Sequence, residues 1–268
     1  MNELENKVKK WILKNGYPFE MKVANLFKKS NFKVSQSVLY KDEDTGKLRE
    51  LDVISYSNVE VNKVWFNFTF VIECKKSTDK PWVVFKNDNL HNQQLERYKP
   101  FATRNAEILF KKTNALKNNK FELLFPNLLN SGFNLVTSLK ESKDLAYSST
   151  TSLLKACKYL TEKFNESTSV RACNIYIPLI IIEGILYESF LDIENELKLI
   201  EVDNSSILNT KVFSEGNSNV ITIVSSKNLE NFIEKIKERT VLFFKTYEKE
   251  IEEVSISNPT NERPIVLG

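Results

Sequence analysis

The sequence predicts an α/β domain: a central mixed sheet flanked by helices, extended by C-terminal strands and a long helix. Three observations lead there. Three strand-like segments follow one another through short connections between residues 32 and 77. NIYIPLIIIEG (174–184) is nearly continuous in apolar residues, as expected of a strand covered on both faces. Amphipathic helical patterns precede, separate and follow these strands. No internal repeat or low-complexity linker divides the chain, so 1–258 is expected to form a single domain, with 259–268 as a flexible tail.

Residues 3–14 place Leu4, Val8, Trp11 and Ile12 at helical spacing, and Gly16 ends that helix. Pro18 suits the first turn of a second helix, whose buried stripe is Phe19, Val23, Leu26 and Phe27. Glu20 lies one turn before Val23 and Ala24 and projects close to that stripe. FKVSQSVLY (32–40) alternates as a strand, and DEDTG (42–46) reads as a turn with Gly46 free to take positive φ. LRELDVISY (48–56) and KVWFNFTFVIECKKS (63–77) are the next two strands. Their short connections imply an antiparallel meander. A helix is expected over 89–112, interrupted or kinked by Pro100. A short strand follows at 133–138, then a helix over 144–165 with Leu145, Leu153, Leu154, Cys157, Leu160 and Phe164 as its apolar positions. After 174–184, ILYESFLDI, ELKLIEV and NVITIVSS read as strands, and 229–251 as one long amphipathic helix.

The charged end of the third strand, VIECKKS (71–77), carries the functional signal. Alternation on a strand puts Glu73 and Lys75 on one face and Cys74 on the other. The bare Glu-x-Lys triplet means nothing, since it occurs five times in the chain, against about three expected by chance. What separates the copy at Glu73 is its place at the end of a deeply apolar strand, because ions are rarely buried without partners. Asp52 sits on the preceding strand between Leu51 and Val53, and Glu20 on the helix before it. Three carboxylates converging on one sheet edge repel one another. A hard divalent cation such as Mg²⁺ or Mn²⁺ relieves that repulsion.

These residues, in this order, resemble the PD-(D/E)XK nuclease superfamily, the restriction-endonuclease-like fold. Asp52 matches the motif aspartate, Glu73-Cys74-Lys75 the (D/E)-x-K element, and Glu20 the acidic residue of the first core helix. QLERY (94–98) places Gln94 and Tyr98 on one helical face, similar to the Q-x-x-x-Y element of the RecB-like branch. Leu51 stands where that superfamily often has proline. The resemblance covers 17–98, with 174–182 as a further core strand and 185–251 as additions. It implies an αβββαβ core and Mg²⁺-dependent hydrolysis of phosphodiesters, in DNA before RNA. Asp52, Glu73, Glu20 and the backbone carbonyl of Cys74 would hold the cation. Lys75 would orient the attacking water, and Gln94 and Tyr98 would position the substrate backbone. The competing expectation is a catalytically inactive module of the same fold that binds nucleic acid or protein.

Other residues point less sharply. His91, one turn before Gln94, is the chain's single histidine, which argues against histidine-based zinc chemistry. Lys76, Lys80 and Lys86 are candidate phosphate contacts, Glu183 is a second strand-end acid, and Trp82 suits core packing better than base stacking. Residues 1–120 hold 23 Lys and Arg against 14 Asp and Glu, so the N-terminal half is basic, which suits a polyanionic partner such as nucleic acid and equally a surface of solvated lysines. The acidic remainder suits a homodimer contact or a protein partner. Three cysteines at no metal spacing, no membrane-length apolar run and a charged N-terminus lead to the expectation of a cytoplasmic protein.

Overall fold

The computed structural model of the chain describes residues 2–87, 98–114, 130–139, 145–166, 171–209 and 219–257. Two helices lead, α1 (Glu3–Lys14) and α2 (Tyr17–Lys29). Gly16 joins them at φ 81°, a left-handed conformation that suits glycine. The meander follows as β1 (Lys33–Lys41), β2 (Leu48–Val61) and β3 (Val64–Phe85). Then come β4 (Phe101–Ala102), α3 (Arg104–Thr113), β5 (Asn134–Thr137), α4 (Leu145–Glu166), β6 (Ala172–Leu191), β7 (Leu197–Glu201), β8 (Asn204–Asn209), β9 (Asn219–Ser225), α5 (Leu229–Thr246) and α6 (Glu248–Ser257).

The described strands form one mixed sheet ordered β1-β2-β3-β6-β9-β8, with β4 and β7 also on β6 and β5 on β3. β1, β2 and β3 pair antiparallel, β3 runs parallel to β6, and β6 runs parallel to β9. Central position explains the apolar run in β6: residues 172–182 are all buried. Its side chains alternate between two cores. Cys173, Ile175, Ile177, Leu179 and Ile181 meet Phe19, Val23 and Phe27 of α2 and Phe232, Ile233 and Ile236 of α5. Tyr176, Ile180 and Ile182 face Leu153, Leu154 and Cys157 of α4. Each such apolar side chain contributes about 1.5–3 kcal/mol on burial, so the strand is anchored from both sides.

Asp42 fastens the β1–β2 turn. Its carboxylate accepts from the N–H groups of Asp44 and Thr45, and ion-pairs with Arg49 at 2.6 Å and Lys155 of α4 at 3.4 Å. Burial alone would raise its pKa, but the Thr45 N–H, Arg49 and Lys155 together hold it down to about 2.

Several elements depart from expectation. Of the helix expected over 89–112, residues 89–97 lie outside the described residues; past Pro100 the chain first pairs Phe101 and Ala102 with Tyr176 and Ile175, and a helix runs from Arg104 to Thr113. The strands expected at 174–184 and 185–193 are one, β6. The helix over 229–251 breaks at Tyr247, so that Phe243 of α5 and Ile251 and Val254 of α6 all reach the same core. A straight helix would carry α6 away from β2 and α3, which it grips through Asn62–Ser255 and Lys112–Glu253 contacts. β8 had only a weak apolar signal: Ile207 and Leu208 enter the two cores, but Ser205 and Ser206 fill the buried positions before them. The α1 stripe of Leu4, Val8 and Trp11 faces solvent. Among the described residues no helix is long and apolar enough to cross a membrane.

Candidate active site where β2 and β3 part

The β2–β3 ladder runs to the pair Val53–Ile72 and ends there. The next residues in register are Asp52 and Glu73. In place of a ladder bond, the Cys74 N–H donates to Asp52 Oδ2 at 2.7 Å. On the other side of β2, Gln36–Val53 and Val38–Leu51 are paired, while Ser37 takes φ 54° and leaves the position opposite Asp52 unpaired. The carboxylate of Asp52 thus stands at a gap in the sheet. β3 itself stays bonded to β6 from Trp65–Ala172 to Ser77–Gly184, which holds Glu73 and Lys75 on a rigid strand.

Lys75 Nζ lies 2.6 Å from Glu73 Oε1 and 3.9 Å from Asp52 Oδ2. Glu73 is only 8% exposed. Burial raises the pKa of both Asp52 and Glu73, opposed by Lys75. Burial would lower that of Lys75, but Glu73 and Asp52 outweigh it, so the amine is held protonated. Glu20 stands apart from these contacts: among the described residues no hydrogen bond or ion pair holds it. It still shares their field. Burial first, then Asp52, pushes its pKa up to about 7, with Lys75 opposing and Glu50 and Glu73 adding.

Asp52, Glu73 and Lys75 are therefore brought together, with Glu20 within electrostatic reach. Cys74 buries its thiol in the α2-side core, where burial raises its pKa well above the ordinary value. Tyr98 packs partly buried against that same core. Gln94 and His91 lie outside the described residues. Trp82 is fully buried, which excludes base stacking by its ring. Lys76 pairs with Glu183 at 3.3 Å and Lys86 with Glu188 at 2.6 Å. Two neighbours were missed. Glu50 precedes Asp52 by one strand period and raises both its pKa and that of Glu20. Alternation from Asp52 was signal enough to find it. Tyr40, buried on the α4 side, feels the charge of Glu73 and donates to the Ser152 carbonyl. Nothing local in the sequence marks it.

Among the described residues no three His, Cys, Asp or Glu side chains gather closely enough to hold a metal ion. In this arrangement the Lys75 ammonium occupies the space beside Glu73. The donor chemistry nonetheless fits a hard divalent cation, since Asp52, Glu73 and Glu20 are all oxygen donors whose ionisation burial and mutual repulsion disfavour. Comparison with family models, with curated proteins and with solved structures gave no match for this chain.

Proposed function

We propose that the chain is a divalent-cation-dependent nuclease of the restriction-endonuclease-like type, acting on phosphodiesters in DNA. The observation that carries this reading is the convergence of Asp52, Glu73 and Lys75 where β2 and β3 part. The order α2, β1, β2, β3, α4, β6, with β6 parallel to β3, supports an αβββαβ core. Asp52 and Glu73, joined by Glu20, would hold Mg²⁺ or Mn²⁺. The cation would supply Lewis-acid stabilisation of charge on the phosphate oxygens.

The chain's own residues do the rest. Lys75 is a fixed cation, because two carboxylates hold its proton. Its role is then to donate hydrogen bonds to the incoming water and to stabilise the anionic transition state, and not to act as a base. Glu20, whose ionisation burial and the charge of Asp52 disfavour, would give up its proton on joining the cation. The buried Cys74 N–H bond fixes the orientation of Asp52.

The test is nicking of supercoiled plasmid with Mg²⁺ or Mn²⁺. Lys75→Ala and Asp52→Ala are each expected to lower the rate by about a hundredfold or more, with circular dichroism unchanged. Equal cleavage by both variants, or none by the parent protein, would sink the assignment. A second reading, a binding module without catalysis, is favoured by the ion pair that Lys75 makes with Glu73. It requires that added cation leave the protein's stability unchanged.

A further inference from the structure

We propose that the corner between α1 and α2 binds unpaired nucleic acid, with bases stacked on Trp11 and Tyr17 and phosphates held by Lys7, Lys10 and Lys14. The inference deepens the nuclease reading, on which it rests for the position of the site, by assigning a single-stranded substrate segment.

α1 buries none of its residues. Such a helix gains little stability from packing, yet it presents Trp11 57% exposed. Tyr17, 46% exposed, stands beside it with ring centroids 5.8 Å apart and planes tilted by 35°. The other two tryptophans are treated differently. Trp82 is fully buried, and Trp65 has the Lys33 ammonium 5.4 Å from its ring centroid. Trp11 is the most exposed of the three.

The charges around it have a direction. Lys7, Trp11 and Lys14 follow one another at steps of four and three residues, which places them along one ridge of the helix, with Lys10 alongside. No acidic residue interrupts 7–14. Among the described residues Lys10 and Lys14 make no ion pair. Lys7 pairs with Glu3 at 2.7 Å, but both are exposed and such a pair holds weakly.

The corner also adjoins the candidate active site. Tyr17 and Glu20 are one turn apart on α2, and the Glu20 carboxylate turns back toward Gly16, where an added Cβ would lie 3.8 Å from its Oε1. A strand lying on the aromatic pair would therefore reach the Glu20 side of the site. The occupant follows from charge and shape. A row of lysines complements a polyanion, and open aromatic faces take bases, which a duplex keeps stacked inside. A single strand offers both at once.

The inference is tested by fluorescence anisotropy in EDTA, on the full chain carrying Lys75→Ala, with a labelled single strand of about 20 nucleotides and its duplex. The single strand is expected to bind more tightly than the duplex. Adding Trp11→Ala should weaken single-strand binding at least about fivefold, since stacking on one aromatic ring supplies that much, while Trp11→Phe retains most of it. Lys7→Gln with Lys14→Gln should flatten the salt dependence. Unchanged affinity in Trp11→Ala, or equal affinity for the duplex, overturns the inference. So does a Trp11→Ala variant that loses self-association or binding to anionic lipid vesicles but keeps its affinity for DNA. Plasmid nicking by the parent protein is scored separately. Unaltered nicking with Trp11-independent binding defeats this inference and leaves the nuclease reading intact. Trp11-dependent binding without nicking supports the inference and defeats that reading.

Discussion

At the scale of single residues, the candidate site concentrates negative charge that the fold does not fully balance. Lys75 serves Glu73 and Asp52 at 2.6 and 3.9 Å, and has little left for Glu20. Burial first, and the charge of Asp52 second, raise the Glu20 pKa to about 7 from an ordinary 4.5, which links folding to pH. The folded chain keeps its proton in a range where the unfolded chain has lost it. Stability from protonated Glu20 is thus fully present below pH 4.5 and is lost as pH rises to about 7. Glu20→Gln removes that slope. Thermal melts in EDTA should show the parent protein losing stability between pH 5 and 8 relative to the variant, with the variant the more stable at pH 8. Parallel curves would show that neither burial nor the cluster holds a proton on Glu20. The sequence made Asp52, Glu73 and Lys75 legible through strand alternation and order. Alternation from Asp52 also reaches Glu50, whereas Tyr40 stayed unmarked, because its place depends on how β1, β2 and β3 splay.

At the scale of elements, what positions the site is a strand held firmly on one side and released on the other. β3 leaves β2 at Val53–Ile72 but keeps β6 as far as Ser77–Gly184. Gly184 makes that close approach possible: a Cβ there would lie 2.3 Å from the Ser77 carbonyl oxygen. Beyond it the register shifts, with Trp82 next to Leu186, and Ser77 Oγ bonds the Lys80 carbonyl across the irregularity. Gly184→Ala is therefore expected to push β3 from β6 two residues past Lys75, at a cost of about 1–3 kcal/mol. Urea unfolding measures the cost, and a matching fall in nicking rate would tie it to the site. An unchanged midpoint would mean that the strands separate freely there. The long apolar strands were legible because burial on both faces leaves a compositional mark. β8 and the break at Tyr247 were not. Serines fill two buried positions of the one and leave Ile207 and Leu208 as too short an apolar run, and tertiary packing alone, without Pro or Gly, bends the other.

At the scale of the whole molecule, both faces of the sheet are covered, and β6 carries side chains into each core. The meander and the central strand could be read from periodicity. The parallel pairing of β3 with β6 could not, since it joins residues more than a hundred positions apart, as in Trp65–Ala172. That pairing couples the site to global stability, because Glu73, midway along β3, and Asp52 on β2 stand together only while the sheet is intact. A cation that binds the folded cluster and not the unfolded chain must stabilise the whole molecule. At a hundredfold excess over its dissociation constant the gain is about 2.7 kcal/mol. For a chain of 268 residues this corresponds to a rise in Tm of roughly 5 °C. Mg²⁺ or Mn²⁺ is therefore expected to raise the parent melting temperature. EDTA should reverse the rise, and Asp52→Asn with Glu73→Gln should abolish it even if that variant starts from a higher baseline after losing its repulsion. A Tm insensitive to either cation in the parent protein would favour the non-catalytic module, because a cluster that gains nothing from a divalent charge has no use for it in hydrolysis.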